Sequence, residues 1–340
     1  VAKKKGKFTI PPAKITVDGK TYTSNSVAIQ VVRGSNQSSE AANNKTNLSD
    51  IPNEDLFVRV NLNKTNVYQG EHILATIKVY SRTNLVNIGK IDYPSFEGFY
   101  SVDVENPSRI SLERENVNGQ AYDVGLFKKV LLFPQRSGEL TVSPFTLECI
   151  VRVRTNQRTF FGYVTRDVSR TIKSPTRKIT VKPLPPNKPD NFSGAVGRFE
   201  LRSDIDHTEV KTNDAISLKI TLTGNGNLKL LDVPEINFPP SFETYDPKVT
   251  SNIQNVTSGS VGSKTYEYLI VPRDAGNFRI PPVVVSYFDL ESETYKTIRS
   301  QEYNIKVERG NGSDSGANAA IQAYRKEEVD QLSSDIRHIK

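Results

Sequence analysis

The chain has 340 residues, 36% of them apolar and 24% charged, with a formal net charge of +7. That length supports two or three domains with cores of their own, and no apolar run approaches the ~18 residues of a membrane helix. Cys149 is the only cysteine, which excludes an intramolecular disulfide and a cysteine-based zinc cluster; within LTVSPFTLECIV it reads as a buried, inert thiol.

Taken in chain order, the elements are strands. GKFTIPPAKITVDGKTYTS (6–24) and SVAIQVV (26–32) have the look of the last third of a β-domain, so residues 1–33 are expected to be the C-terminal remnant of a truncated β-sandwich. Any targeting segment is expected to lie outside these residues. Residues 34–54 are polar and poor in apolar side chains, and read as a flexible linker. DLFVRVNL, HILATIKVYS, KKVLLFP and ELTVSPFTL alternate with period two and are punctuated by YQGE, VNGQ and RSGE turns, which predicts an immunoglobulin-like β-sandwich over 55–182. KPLPPNKPDNFSG opens a Pro-rich, stiffer linker over 183–196. ISLKITLTG, GNGN and DAGN then mark a second sandwich over 197–309. Residues 310–340 read as a flexible tether and a short helix, on which Ile321, Tyr324, Val329, Leu332 and Ile336 recur at near-helical spacing. The expected fold class is all-β, tandem immunoglobulin-like sandwiches with a short C-terminal helix.

The two sandwiches repeat one another. VLLFPQRSGELTVSP (130–144) matches LIVPRDAGNFRIPP (269–282): an apolar strand, a proline that ends it, a glycine that turns, and a new strand. Gly70-Glu71 and Asn213-Asp214 fall at equivalent turns near the start of each copy. The copies differ in charge: 19 Lys/Arg against 12 Asp/Glu from Asp55 to Lys182, but 12 against 16 from Phe199 to Arg309.

No catalytic constellation is legible. His72, His207 and His338 are scattered, no nucleophile elbow or phosphate-binding loop occurs, and GNGN (224–227) has no helix after it. The acidic run Asp289-Leu290-Glu291-Ser292-Glu293 reads as a solvated hairpin tip rather than a calcium loop. No cofactor and no metal are expected. One segment stands apart. From Gly138 to Val181 is 43 residues, whereas Gly276 to Val307 in the later copy is 31, and the excess is VRVRTNQRTFFGYVTRDVSRTIKSPTRK (151–178). Between 151 and 182 there are nine Lys/Arg and one acid, Asp167. Arg152, Arg154, Arg158, Phe160, Phe161, Tyr163 and Arg166 therefore make up the candidate partner-binding site. Arginine among aromatics is the composition of an interface anchor or of a site for acidic groups, and also of a long hairpin whose charged edge blocks strand association while its aromatics fold back on the core. Nucleic acid is not expected, because no recognised module accompanies the basic stretch.

The succession GKFTIPPAKITVDGKTYTS, VYQGEHI, LLFPQRSGELTV, NKPDNFSGAVGRFEL, GNGNLKLLDVPEINFPPSFETYDPKV and YEYLIVPRDAGNFRIPPVVVSYFD resembles the BatD family of exported aerotolerance (oxygen-tolerance) proteins, and suggests a Bacteroidetes source. The resemblance implies a periplasmic position, an upstream signal sequence and a downstream membrane anchor. Its implied partners are operon-encoded membrane proteins with von Willebrand A-type domains, alongside a MoxR-type ATPase. It brings no catalytic residues. The expected function is a non-enzymatic scaffold of a membrane stress-tolerance complex, with envelope carbohydrate or peptidoglycan binding as the alternative.

Overall fold

The computed structural model describes residues 6–17, 20–31, 54–160, 162–232 and 234–310. The expected C-terminal helix lies outside the described residues, as do the linker up to residue 53 and Phe161. Among the described residues the chain is strands, with a single 3-10 turn at Leu228–Leu230.

The N-terminal segment forms β1 (Gly6–Ile10), β2 (Lys14–Val17), β3 (Lys20–Thr23) and β4 (Val27–Val31), paired as β1 with β4 and β2 with β3. The middle sandwich runs through β5 (Leu56–Leu62), β6 (Asn66–Tyr68), β7 (Ile73–Ser81), β8 (Asn84–Asp92), β9 (Phe99–Glu105), β10 (Leu112–Val117), β11 (Gln120–Pro134), β12 (Gly138–Val142), β13 (Thr146–Thr159), β14 (Gly162–Lys173) and β15 (Arg177–Lys182). One layer has the order β10-β11-β7-β5, with β9 also on β11; the other is built from β12-β15-β6 and β14-β13-β8. Alternation on β5 and β7 buries every second side chain, and Val58, Val60, Ile73, Ile77 and Val79 meet Phe127, Phe145, Leu147 and Ile179 across the layers. Cys149 lies in this core and is a free thiol.

The C-terminal sandwich follows with β16 (Phe192–Ile205), β17 (Glu209–Lys211), β18 (Ile216–Gly226), β19 (Phe242–Thr244), β20 (Lys248–Val256), β21 (Gly259–Pro272), β22 (Gly276–Ile280), β23 (Val284–Asp289), β24 (Thr294–Arg299) and β25 (Tyr303–Glu308). Here β16 does two jobs. Its first residues lie parallel to β23, then a register shift carries the strand across to pair antiparallel with β18. The crossing needs bare backbone: a Cβ on Gly197 would stand 2.2 Å from the Asn225 carbonyl oxygen. Strand structure thus reaches back to Phe192, into the stretch whose composition reads as linker.

The repeat is a structural one. At the opening turns, Gly70 donates its N–H to Pro134 O and Asn213 to Pro272 O, both at 2.9 Å and both at positive φ (82° and 68°). Glu71 and Asp214 each accept a backbone N–H three residues earlier, from Tyr68 and Lys211. A second device occurs three times. After the proline-bearing corner, Phe145 N–H bonds Ser174 Oγ while Ser174 N–H bonds Phe145 O, each at 2.9 Å. Val283 and Ser300 do the same in the last copy, and Ala13 and Ser24 in the first. The pairings Gly6↔Val31 and Gly276↔Val307 agree residue by residue. Among the described residues no layer opposes the first copy: Phe8, Ile10 and Ile15 are 49%, 52% and 62% exposed, whereas Ile280 and Val285 are buried.

The two complete sandwiches touch at the opening turn of the first. Tyr68 packs edge-on against Phe288 with centroids 5.0 Å apart, and a Cβ on Gly70 would come within 2.9 Å of Val196 Cγ2. The Tyr295 hydroxyl donates to Pro185 O at 2.7 Å, tying the proline-rich connector to β24.

The serine corner yields a test. Ser174→Ala leaves the Phe145 N–H buried without a partner, so urea unfolding of the variant is expected to show a loss of about 1–3 kcal/mol. An unchanged midpoint would show that the clamp is dispensable.

Candidate functional site

The long insertion is a hairpin arm. β13 and β14 pair from Thr146↔Lys173 to Thr159↔Gly162, but β8 accompanies β13 only as far as Arg152. The remaining seven residues of β13 run on beside β14 alone, a reach of roughly 20 Å at strand rise. Gly162, at φ 124°, makes the return that a side chain would strain.

Because opposite residues of an antiparallel pair share a face, the register sorts the candidate residues. Arg152 with Asp167 and Arg154 with Thr165 stand on the outer face, and past an irregularity between Arg154 and Arg158 so does Arg158 with Tyr163. Val151 and Val168 lie on the inner face, with Val151 in the core, and Arg166 belongs to that side opposite Val153. Phe160 crowns the tip at 98% exposure and Tyr163 is 56% exposed.

Charge is partly spoken for. Arg152 forms a bidentate pair with Asp167, Nε to Oδ1 at 2.7 Å and Nη2 to Oδ2 at 2.9 Å. That hydrogen-bonded pair, with its mutual attraction, raises the pKa of Arg152 and lowers that of Asp167. Arg158 lies over the Tyr163 ring at 5.6 Å, which pre-orders both side chains. Arg154 is exposed on the same face. The structure therefore brings Arg152, Arg154, Arg158 and Tyr163 to one face and turns Arg166 to the other.

At the root of the arm lies Arg170, which no pattern in the sequence marks out. It pairs in register with Cys149, and its Nε and Nη2 are buried without a hydrogen-bond partner among the described residues. Burial pushes the Cys149 thiol up, with the Arg170 charge pulling against it, so the thiol stays protonated and unreactive.

The other titratable groups are structural. Burial lowers the pKa of His72, helped by Lys64, and its ring sits where Gly259 leaves room at the sandwich junction. Asp289 is buried at its hairpin turn and accepts from the Ser292 N–H, the Glu291 N–H, Ser292 Oγ and Lys296 Nζ, the last at 2.7 Å. Burial acts to raise its pKa, but Lys296 and the turn N–H groups outweigh that and hold the carboxyl well below the usual range. Its oxygens are thus occupied from within the chain. Among the described residues no group of three or more His, Cys, Asp or Glu side chains could hold a metal ion.

Residues 1–31 and 203–307 match the family model described as the BatD DUF11-like domain. Over those two ranges the chain is similar to the BatD family. The arm lies in the stretch between the matched ranges. No curated protein matches the chain. Among solved structures it is similar to the adhesin InvE of Yersinia pseudotuberculosis, at 13% identity over 76% of this chain and 61% of that one, with a TM-score of 0.20. It is also similar to the type II cohesin dyad from the adaptor ScaA scaffoldin of Acetivibrio cellulolyticus, at 10% identity, 76% and 98% coverage and a TM-score of 0.18. The chain thus spans about three fifths of the adhesin's length, and superpositions this loose carry no argument about its site.

Two measurements follow from the titratable groups. Arg170→Met removes buried donors that have no partner, so it is expected to leave unfolding free energy unchanged or raise it by about 1 kcal/mol; a loss above that would reveal a partner for Arg170. For Asp289, the depressed folded pKa means that its contribution is complete above the unfolded carboxylate value, about 4, and is lost as pH falls below it. The stability gap between the native chain and Asp289→Asn should therefore be constant near neutrality and shrink below about pH 4. A gap that persists unchanged at pH 2 would contradict this.

Proposed function

We propose that this chain is a non-enzymatic scaffold of an envelope aerotolerance assembly, gripping a protein partner with the 153–166 arm. The similarity to the BatD family supports the aerotolerance association. The observation that carries the contact is the arm itself: a two-stranded projection beyond the sheet, tipped by a phenylalanine 98% exposed, with Arg154, Arg158 and Tyr163 on one face. An exposed aromatic among guanidiniums combines the residue types that dominate interface energetics.

In this reading the protein works in the periplasm, anchored to the inner membrane by a segment outside these residues. Its partners are the von Willebrand A-type membrane proteins of the same operon, alongside a MoxR-type ATPase. The arginines supply charge complementarity and on-rate, and the aromatics supply buried area. The Arg152–Asp167 pair stiffens the arm's base, so Arg154 and Arg158 are the cations that reach the partner.

The test uses the full chain as bait in envelope extract, beside a variant carrying Arg154→Glu, Arg158→Glu and Phe160→Ala with unchanged thermal unfolding. The native chain is expected to retain von Willebrand A-type proteins, with retention falling at least tenfold in the variant and weakening at high salt. Equal retention by both baits would sink the arm as the contact. Retention of none by the native chain would sink the scaffold reading.

A further inference from the structure

The two sandwiches differ in one place where their repeat predicts sameness. With Phe145 and Val283 superposable through their serine corners, Thr146 corresponds to Val284 and Leu147 to Val285. In the middle sandwich, β8 lies antiparallel along this strand, pairing Asp92 with Thr146 and Ile91 with Leu147. In the C-terminal sandwich no strand among the described residues takes that position. β16 begins beside β23 only at Phe192↔Ser286, so the start of β23 has β24 on one side and a groove on the other.

The reason is chemical. The stretch equivalent to β8, residues 231, 232 and 234–237, is bonded instead to side chains of β21. Tyr266 donates to Asp232 O at 3.0 Å, Tyr268 donates to Pro234 O at 2.8 Å, and Lys264 Nζ bonds Leu231 O at 2.5 Å. Burial pushes the Tyr266 phenol up to about 12, with the Asp232 charge adding to it, so it remains a donor. Counting back from Pro272 and Pro134, the middle sandwich carries Lys128, Val130 and Leu126 at these three positions. None of its residues there is a tyrosine, and β8 is free to lie on β13.

The groove has a volume of about 440 Å³. Its floor and walls include Phe192, Leu231, Ile236, Pro282 and Val285, and three carboxylates, Asp190, Asp232 and Glu235, line it with no basic residue among the lining. Lys264, behind the wall, offsets part of the Asp232 charge. The ladder sets the backbone. Val283 turns its N–H and C=O to Ser300, so by strand alternation Val284 turns its own away from β24 and into the groove.

We infer that this groove is a strand seat: it takes one short extended segment of a partner protein, antiparallel to β23, with aliphatic and Lys/Arg side chains alternating. The Val284 N–H and C=O supply ladder bonds, the apolar floor takes the aliphatic side chains, and the three carboxylates face the cations. It is a surface separate from the arm and stands or falls without it.

The probe is a blocked hexapeptide of alternating valine and lysine, titrated into the full chain labelled with ¹⁵N-valine. Two controls accompany it: the same peptide with glutamate for lysine, and the lysine peptide N-methylated at alternate residues, which cannot complete the ladder. The lysine peptide is expected to shift the Val284 and Val285 amides and to bind at least tenfold more tightly than either control. Asp232→Lys with Glu235→Lys should weaken it at least tenfold while thermal unfolding is unchanged. Equal binding of the N-methylated peptide would overturn the strand seat, equal binding of the glutamate peptide would overturn the charge reading, and no shift at Val284 would overturn both. If the Val284 amide instead moves with protein concentration alone, the occupant is a second copy of the chain and the partner-protein proposal fails.

Discussion

The phase of the closing strand in each unit is set by a serine. Where the chain leaves the proline corner, one residue gives its N–H to the Ser Oγ and takes the Ser N–H on its carbonyl, as Phe145 does with Ser174 and Val283 with Ser300. Since a strand alternates, that pair decides which backbone groups face the hairpin partner and which face outward. Core direction follows from the same choice: Leu147 and Val285, two residues on, are buried in their own sandwiches. A slip of one residue there would turn both strands inside out.

On this shared frame the two copies diverge by length and by polarity. The middle unit lengthens the hairpin and loads it with arginine, leaving core alternation intact to Val151 before the strand runs out into solvent. The later unit keeps the hairpin short, closes it on Asp289 and Lys296, and spends its polar groups on the inside, where Tyr266 and Tyr268 reach backbone carbonyls about 34 residues earlier. One unit therefore presents a convex cationic feature and the other a concave acidic one. This matches the opposite charge of the two segments and gives it a location.

Much of this was legible in the sequence. The tandem repeat, the turns at Gly70 and Asn213 and the long hairpin all rest on local signals: period-two alternation, Pro as a strand end, Gly or Asn at positive φ. The pairing of Arg152 with Asp167 was not, since it needs the register of a hairpin whose strand is irregular between Arg154 and Arg158. The crossing of β16 was hidden for a related reason. A proline-rich composition marks residues 183–196 as linker, while the parallel pairing of Phe192 to Val196 depends on β23, almost a hundred residues later. Nor could periodicity show Arg170, whose alternation is that of an ordinary inward strand residue and whose buried Nε and Nη2 emerge only from packing.

The contact between the sandwiches is made with backbone that has no slack. Gly70 sits at a φ that only glycine holds easily, its Cβ position is already filled by Val196, and Tyr68 is wedged on Phe288. With the connector bonded to Tyr295 as well, the two sandwiches are joined by packed side chains and a hydrogen bond in addition to the covalent connector, which makes the gap between them a surface closed to solvent and partners alike where Tyr68 packs on Phe288.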